Sequence, residues 1–316
     1  MVILAPMAGI TDLAFRLVVK SYGCDFVVSE MISAQGVIYN NRNTKRLLKS
    51  DPKERPLAVQ LFGHDPQILA EAAGLIEQEY QPDIIDLNMG CPTPKIVKNG
   101  DGAALLKQPK LIEQIVAAVV EKVNIPVTAK IRLGWDQNSI NCLEVARRVE
   151  DAGGYWITVH ARTREQFYRG SAQWDYITKI KEHVNIPVVA NGDIIDELSA
   201  EKIQQTGCDH IMIGRGVLGR PWVPNHIKTY LETGRVLPEP SIAERFAAAL
   251  KHLKLKMDLI GEESAVREMR THLAWYLKGL PDSRNIKCRI KQVSLYDEVK
   301  LLLEEFEKTL ALKQLF

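Results

Sequence analysis

Short apolar runs rich in Val and Ile alternate along the first part of the chain with longer stretches whose apolar residues recur at helical spacing. The runs predict eight strands, at 2–7, 25–29, 57–62, 83–88, 126–133, 156–160, 187–191 and 210–214. Helical stretches lie between them, for example at 66–79, 109–123, 141–152 and 195–205. Strands that alternate with helices build a parallel sheet. Because eight such units close on themselves, the pattern predicts an α/β fold of the (β/α)₈ TIM-barrel type.

The pattern changes after residue 214, where strand-like runs stop. A helix is predicted at 225–233, a proline-rich linker at 237–241, and further helices at 242–258, 264–277, 286–294 and 297–310. We therefore expect two domains, a barrel over 1–236 and a C-terminal helical bundle over 237–316, which we call the tail. The length of 316 residues agrees with this division, since single cores stop growing beyond roughly 250–300 residues.

Composition places the chain among ordinary soluble proteins, with 46% hydrophobic and 25% charged residues. No apolar run approaches the roughly 18 residues of a membrane span, and the N-terminus lacks the basic segment of a secretory signal. The five cysteines form no CxxC pair, which favours reduced thiols over disulfides and argues against a metal site. We expect a cytoplasmic protein that binds no metal and acts as a monomer.

The net charge of +2 hides an uneven distribution of basic residues. Between residues 265 and 291 there are seven basic and two acidic residues. Such an excess on predicted helices is most often a solvated face, but it also suits an anionic partner.

Polar residues interrupt or close most of the predicted strands. Carboxyl strand ends form the functional face of a barrel, so these side chains should meet at one mouth. A buried Lys or Gln without a partner costs several kcal/mol, roughly 2–7 for a neutral polar group, which predicts a polar ligand there. The residues at these positions, polar side chains together with the small or apolar residues beside them, are Pro6, Met7, Ala8, Gln60, Asn88, Lys130, Arg132, His160, Asn191, Gly192, Asp193, Gly214, Arg215 and Gly216.

Glycines follow the last two predicted strands, at Gly192, Gly214 and Gly216, with Arg215 between two of them. Small residues let backbone N–H groups approach an anion closely, so this pattern favours a phosphate site. The alternative is that the glycines only form tight turns.

Lys130 and Arg132 alternate within one strand and should share a face. One interpretation is a structural cation matched by a buried partner. The other is that Lys130 stabilises negative charge on a reduced isoalloxazine ring, with Gln60 and His160 bonding the same ring.

Cys91 follows the fourth predicted strand, in a loop of turn residues above the mouth. The local sequence offers it no His or carboxylate to activate a nucleophile, although a distant residue is an alternative source. A thiol is mostly protonated at neutral pH, so Cys91 is predicted to donate a proton. Cys24, Cys142, Cys208 and Cys288 are interpreted as small hydrophobic residues.

Motifs along the whole chain together resemble the tRNA-dihydrouridine synthases, and most closely their bacterial B-type branch. They are LAPMAGITD, VQLFG, DLNMGCP, KIRLGW, HARTREQ, NGD and MIGRG in the barrel, and EMRTHLAWYLKGLP in the tail. The resemblance implies an FMN enzyme that uses NADPH to reduce uridines in tRNA to 5,6-dihydrouridine. It implies FMN contacts from Pro6, Met7, Ala8, Gln60, Lys130, His160, Asn191, Gly192, Asp193, Gly214 and Arg215.

The implied chemistry gives Cys91 its role. Hydride moves from flavin N5 to uracil C6, and the Cys91 thiol protonates C5. Residues predicted to contact the tRNA are Asn88, Arg132, Arg162, Arg267, Arg270, Lys278, Lys287 and Lys291, while Arg164 and Arg169 extend that surface. Trp275 and Tyr276 are predicted to be core residues.

Two alternatives remain open from the sequence. An FMN barrel of the dihydroorotate dehydrogenase type would act on a free pyrimidine, although the basic tail argues against it. A barrel that only binds RNA would not need Cys91 and Lys130.

Overall fold

The Val- and Ile-rich runs pair in parallel register and close into a barrel in the computed structural model, which describes residues 1–313. The strands are β1 (Val2–Leu4), β2 (Phe26–Val28), β3 (Ile32–Ser33), β4 (Leu57–Phe62), β5 (Ile84–Met89), β6 (Val127–Arg132), β7 (Ile157–His160), β8 (Val188–Asn191) and β9 (His210–Ile213). β1 pairs with both β2 and β9, and β2 pairs with β4, so eight strands form a closed ring. The short β3 lies beside the end of β4. The predicted TIM barrel is confirmed.

Helices connect the strands and continue into the tail. They are α1 (Leu13–Ser21), α2 (Ala34–Ile38), α3 (Arg42–Leu47), α4 (Pro66–Tyr80), α5 (Pro94–Lys98), α6 (Pro109–Lys122), α7 (Cys142–Asp151), α8 (Asp175–His183), α9 (Glu197–Gln204), α10 (Val223–Thr233), α11 (Ile242–Ile260), α12 (Glu262–Tyr276), α13 (Ser283–Ile290) and α14 (Tyr296–Lys313). Short 3₁₀ helices occupy Pro52–Glu54, Gly102–Lys107 and Arg215–Val217. No helix within residues 1–313 has the length and apolar character needed to cross a bilayer.

Local sequence explains where individual helices begin. The Asp65 side chain accepts a hydrogen bond from the Ile68 N–H, and Pro66 occupies the first helical position of α4. Ser241 and Glu244 form a reciprocal capping box at the start of α11. The residues before Ser241, from 235 onwards, are neither helix nor strand, as the proline-rich sequence predicts.

The barrel interior changes from apolar to polar along the strands. An apolar cluster that includes Ile3, Phe26, Ala58, Trp156 and Met212 forms the lower layer. Two residues further along the strands, the alternation of side chains puts a polar layer above it. In that layer Gln60, Asp86 and Thr128 are register partners on β4 to β6, and Asn88 and Lys130 are partners on β5 and β6. The mouth is therefore polar because strand period and register bring these residues to the same end.

A buried ion pair supports the loop after β1. The Arg16 guanidinium donates to Glu54 over 2.5 and 3.1 Å, and both side chains are almost fully buried. Arg16 also donates to the Thr11 carbonyl over 2.9 Å, and the Thr11 hydroxyl accepts the N–H of Met7 over 2.9 Å. The pair thus fixes the loop that carries Met7 to the mouth.

The tail packs against α1 and the loop after β9. Phe15 of α1 lies 5.3 Å from the His252 ring and 5.2 Å from the His272 ring, measured between centroids. Burial lowers the pKa of His272 to about 4, so this contact is made by a neutral ring at neutral pH. At Gly219 a Cβ would lie 2.3 Å from the Trp275 carbonyl, so only glycine permits this approach.

Candidate active site

Side chains from all parts of the barrel line a cavity at the carboxyl ends of the strands, which we call the mouth cavity. It continues into a groove above β8 and β9, and Met7, His160, Tyr168, Arg215, Leu218 and Trp275 line both. The two together contain every residue predicted to bind the cofactor. These are Pro6, Met7, Ala8, Gln60, Lys130, His160, Asn191, Gly192, Asp193, Gly214 and Arg215. The structure therefore brings the predicted set to one place.

A chain of hydrogen bonds crosses the floor of the mouth cavity. Gln60 Nε2 donates to Asp86 over 2.7 Å, and Asn88 Nδ2 donates to Gln60 Oε1 over 2.8 Å. The Thr128 hydroxyl donates to the other Asp86 oxygen over 2.7 Å. Burial raises the pKa of Asp86 to about 6. Each end of the Gln60 amide thus has one partner within the protein, and its second N–H and second lone pair are left for a ligand, so the predicted bond to a ligand ring stays a prediction.

Lys130 is half-buried, and its amine has a single hydrogen-bond partner. Its Nζ donates to Asn191 Oδ1 over 3.0 Å, and no other partner exists for it within residues 1–313. Burial, followed by the charge of Arg132, lowers the pKa of Lys130 to about 8. An ammonium group has three donors, so Lys130 can still bind an anionic or carbonyl ligand atom in the mouth cavity. Burial and the neighbouring cations also hold the pKa of His160 well below its ordinary range, so its imidazole is neutral.

Two hydrogen bonds, one to the N–H and one to the carbonyl, hold the backbone of Cys91 at the rim of the mouth cavity. Asn88 Oδ1 accepts the Cys91 N–H over 2.9 Å, and the Cys91 carbonyl accepts the Ala103 N–H over 3.0 Å. The thiol itself is partly exposed, with its Sγ 3.4 Å from the Thr93 hydroxyl. The predicted exposure of this thiol to the mouth is thus what the structure shows. Within residues 1–313 no His or carboxylate forms a hydrogen bond with it.

The glycines after β8 and β9 form a backbone cradle in the groove. Gly192 has φ 119°, and a Cβ there would lie 3.1 Å from both Ala172 Cβ and His160 Cδ2. A Cβ at Gly216 would lie 2.6 Å from the Ile194 carbonyl. These positions require glycine because other residues would fill the space or strain the backbone.

Two arginines surround Asp193 beside this cradle. Arg162 donates to Asp193 over 2.6 Å, and Arg215 lies 3.6 Å from the other carboxylate oxygen. The Arg162 side chain is buried, and it also donates to the Gly170 carbonyl over 2.7 Å. Arg215 is half-exposed and lines the groove. The structure therefore uses Arg162 to hold the loop and leaves Arg215 accessible.

The residues predicted to contact RNA fall into different environments. Arg132 is buried and donates to three backbone carbonyls, those of Gly90, Thr163 and Phe167. In the tail, Lys278 is exposed and lines the groove. Of the others, Arg267 and Lys291 are exposed, Lys287 is half-buried, and half-buried Arg270 donates to the Val293 carbonyl.

Trp275 and Tyr168 both line the mouth cavity, and the sequence predicted neither position. Tyr276 is a core residue as predicted, but the same prediction was wrong for Trp275, which is only half-buried and lines the mouth cavity. Tyr168 is half-exposed there, with its ring centroid 4.6 Å from the Arg215 guanidinium. The signal for Tyr168 was an aromatic residue in a polar loop that follows a strand end.

Comparison with known proteins settles the family to which these features belong. Residues 3–313 match the family model described as dihydrouridine synthase. The chain belongs to the dihydrouridine synthase family. Dihydrouridine synthases are flavin-dependent oxidoreductases, so the enzyme class predicted from the sequence is confirmed.

Individual relatives are similar over nearly the whole chain. A protein of Rickettsia prowazekii named probable tRNA-dihydrouridine synthase is 43% identical over 96% of this chain and 94% of its own. A protein of Pseudomonas aeruginosa named tRNA-dihydrouridine synthase B is 43% identical over 92% of this chain and 88% of its own. Among solved structures, histamine dehydrogenase from Rhizobium sp. 4-9 matches with a TM-score of 0.54 at 14% identity, covering 80% of this chain and 48% of its own. This last likeness concerns the fold alone.

Proposed function

We propose that this protein reduces uridines in tRNA to 5,6-dihydrouridine in the cytoplasm, as a monomer, with bound FMN and with NADPH as reductant. One observation carries the proposal: the Cys91 thiol lies in the same cavity as the Lys130 amine, and a glycine cradle adjoins that cavity. The first group can donate a proton, the second can support negative charge, and the third can accept a phosphate. The relatives named tRNA-dihydrouridine synthase support tRNA as the substrate.

The residues of the mouth fit FMN. Gly192 leaves open a space that a Cβ would fill, and Arg215 beside it is accessible, so a phosphate finds backbone N–H groups and a cation together. Lys130 would support negative charge on the ring, and Met7 and Ala8 would contact the ring. When bound, FMN supplies the two electrons of the reduction.

The protein must supply the proton that completes the reduction of the uracil C5–C6 double bond. The Cys91 thiol lies at the rim of the cavity, where a base inserted from outside would arrive, so we assign it the role of proton donor. Asn88 fixes the backbone of Cys91 through its Oδ1, so we assign Asn88 to positioning the general acid. Arg132 ties the surrounding loops through their carbonyls while it also lines the cavity, where it can meet the base.

The tail is proposed to bind the tRNA, as a domain over 237–316. Lys278 and Trp275 lie at the rim of the cavity, so RNA that enters the mouth would contact the end of α12. Arg267 and Lys291 are exposed cations on α12 and after α13, and we propose that they bind phosphates with Lys287 and Arg270. A target uridine must leave its stack to reach the mouth cavity.

A reconstituted reaction tests the proposed function. The purified protein should be yellow, NADPH should bleach it, and tRNA from a strain that lacks the enzyme should gain dihydrouridine at specific positions. Free uridine should not react. Equal reduction of a free pyrimidine would instead indicate the dihydroorotate dehydrogenase type, and a colourless protein that binds tRNA would indicate a purely RNA-binding barrel.

Replacing Gly192 with valine should deprive the protein of its flavin. The side chain would fill the cradle and meet His160, and φ 119° would add strain of about 1–3 kcal/mol. The ratio of flavin absorbance to protein in the purified variant measures the effect. Gly234→Val is the matched control, because Gly234 has φ 70° but no atom within 4 Å of its Cβ position. A valine variant of Gly192 that retained full flavin would contradict the assignment of the cradle.

A further inference from the structure

A stack of two cations on one indole ring lies on the side of the mouth that carries the Cys91 loop. Lys107 Nζ lies 3.4 Å from the centroid of the Trp135 ring, and the Arg164 guanidinium carbon lies 4.6 Å from the same centroid. Lys107 is exposed, and Arg164 and Trp135 are half-buried. We call these three residues the Trp135 stack.

The Trp135 stack joins three neighbouring loops of the mouth. Lys107 ends the segment after β5 that carries Cys91, Trp135 lies in the loop after β6, and Arg164 lies in the loop after β7. Backbone bonds reinforce the contact, because the Arg164 N–H donates to the Gly134 carbonyl over 2.9 Å. Beneath them, buried Arg132 binds carbonyls of the first and third of these loops. The two cations are therefore held in place before any partner arrives.

Neither cation of the stack is neutralised by the protein. Within residues 1–313 no carboxylate forms an ion pair with Lys107 or Arg164. Glu165, the residue after Arg164, forms no ion pair within the described chain, and Asp136, the residue after Trp135, accepts bonds from Asn138 and Ser139. Arg164 Nε is buried and has no hydrogen-bond partner. Cation–π contacts lower the entropic cost of fixing these side chains but leave their positive charge available.

The surroundings match a polyanion rather than a single small anion. Lys95 and Lys98 on α5 and Lys110 at the start of α6 are exposed near the same loop, also without ion pairs in the described chain. On the side of β8 and β9, Lys278 of the tail lines the groove together with Trp275. A nucleic acid strand that enters the mouth at one nucleotide has phosphates on both sides of that nucleotide, and the two basic surfaces would meet them.

We propose that the Trp135 stack is an RNA phosphate subsite, which binds the RNA backbone next to the target uridine, on the side of Cys91. This inference rests on the proposed function. The tail then holds the other flank of the RNA. Trp135 acts as the support that keeps Lys107 and Arg164 in position, and it does not stack on a base. The site is specific for phosphate and independent of sequence.

Binding of intact tRNA, measured without NADPH across a range of salt concentrations, tests this subsite. For K107Q/R164Q the affinity at moderate salt should fall by about tenfold or more, and the slope of log K against log salt should decrease by about 1–2, because each lost phosphate contact removes roughly 0.7–0.9. Trp135→Leu keeps both charges but loses the ring that supports them, so it should weaken tRNA binding less than K107Q/R164Q does. In turnover the loss should appear in KM for tRNA rather than in kcat.

Lys179→Gln is the matched control. Lys179 also lies on an aromatic ring, 4.6 Å from the Tyr176 centroid, but Asp175 pairs with it at 3.5 Å. The Lys179→Gln variant should leave the affinity for tRNA and the slope of log K against log salt unchanged. Parental affinity and slope in K107Q/R164Q, or an equal loss in the control, would overturn the proposed subsite. Because no turnover is needed, a protein that binds tRNA through the stack but forms no dihydrouridine would refute the proposed function and leave the subsite standing.

Discussion

Cys91→Ala is expected to form dihydrouridine about 10²–10⁴ times more slowly than the parent protein, because a positioned general acid contributes a factor of that size. The variant should still bind FMN, since Cys91 lies at the rim and the phosphate cradle is on the opposite strands. Its flavin should still be reduced by NADPH. The measurement is the rate of dihydrouridine formation in tRNA after the flavin has been reduced in a separate step.

Two further variants separate the proton from other effects of the thiol. Cys91→Ser keeps a hydroxyl of similar size but a much weaker acid, so it should remain strongly impaired. Cys288→Ala removes an exposed cysteine of the tail and should react like the parent. Dihydrouridine formation at the parental rate in Cys91→Ala would remove this residue from the mechanism.

Glu54→Ala is expected to lower the free energy of unfolding by about 3–5 kcal/mol, because removal of one partner leaves the buried Arg16 guanidinium without a counter-charge. Domain stabilities are typically about 5–15 kcal/mol, so the loss is large. Chemical denaturation of the purified variant measures it. The loop with Met7 depends on the same arginine through Thr11, so flavin occupancy should fall as well.

Glu113→Ala provides the control for this prediction. Glu113 pairs with Arg148 at 2.5 Å, but both side chains are partly exposed, and Arg148 keeps a second partner in Glu144. Such surface pairs contribute about 0–1 kcal/mol. If both variants were destabilised equally, the buried pair would have no special role in supporting the mouth.

The barrel and much of its mouth can be predicted from the sequence, because both depend on the two-residue period of side chains along each strand. Alternation along a strand puts Lys130 and Arg132 on one face, and the closed register of a parallel barrel brings His160 and Asn191 to the same level. The same alternation marks Asp86 between Ile84 and Asn88, so this buried carboxylate was within reach of sequence reasoning. Its bond to Gln60 was not, because the choice between an internal partner and a ligand depends on exact distances.

The remaining parts of the site depend on how distant segments dock. Trp275 lies in an amphipathic helix, and no local pattern distinguishes its position from that of buried Tyr276. Arg162 follows a strand end as the accessible Arg215 does, yet its donors are used by Asp193 and Gly170. Sequence alone thus identifies which charges are near the mouth, and tertiary packing decides which of them are free.

The close approach of Gly219 to Trp275 has a consequence for substrate choice. A backbone contact that excludes even a methyl group ties the end of α12 to the barrel, so the rim of the mouth has little freedom to widen. If the substrate is tRNA, its own structure must then deform to deliver the base. The energetic cost of that deformation depends on the stacking and pairing around each uridine. Selection among uridines would therefore be governed by how easily the RNA bends at each position, as well as by contacts to the base.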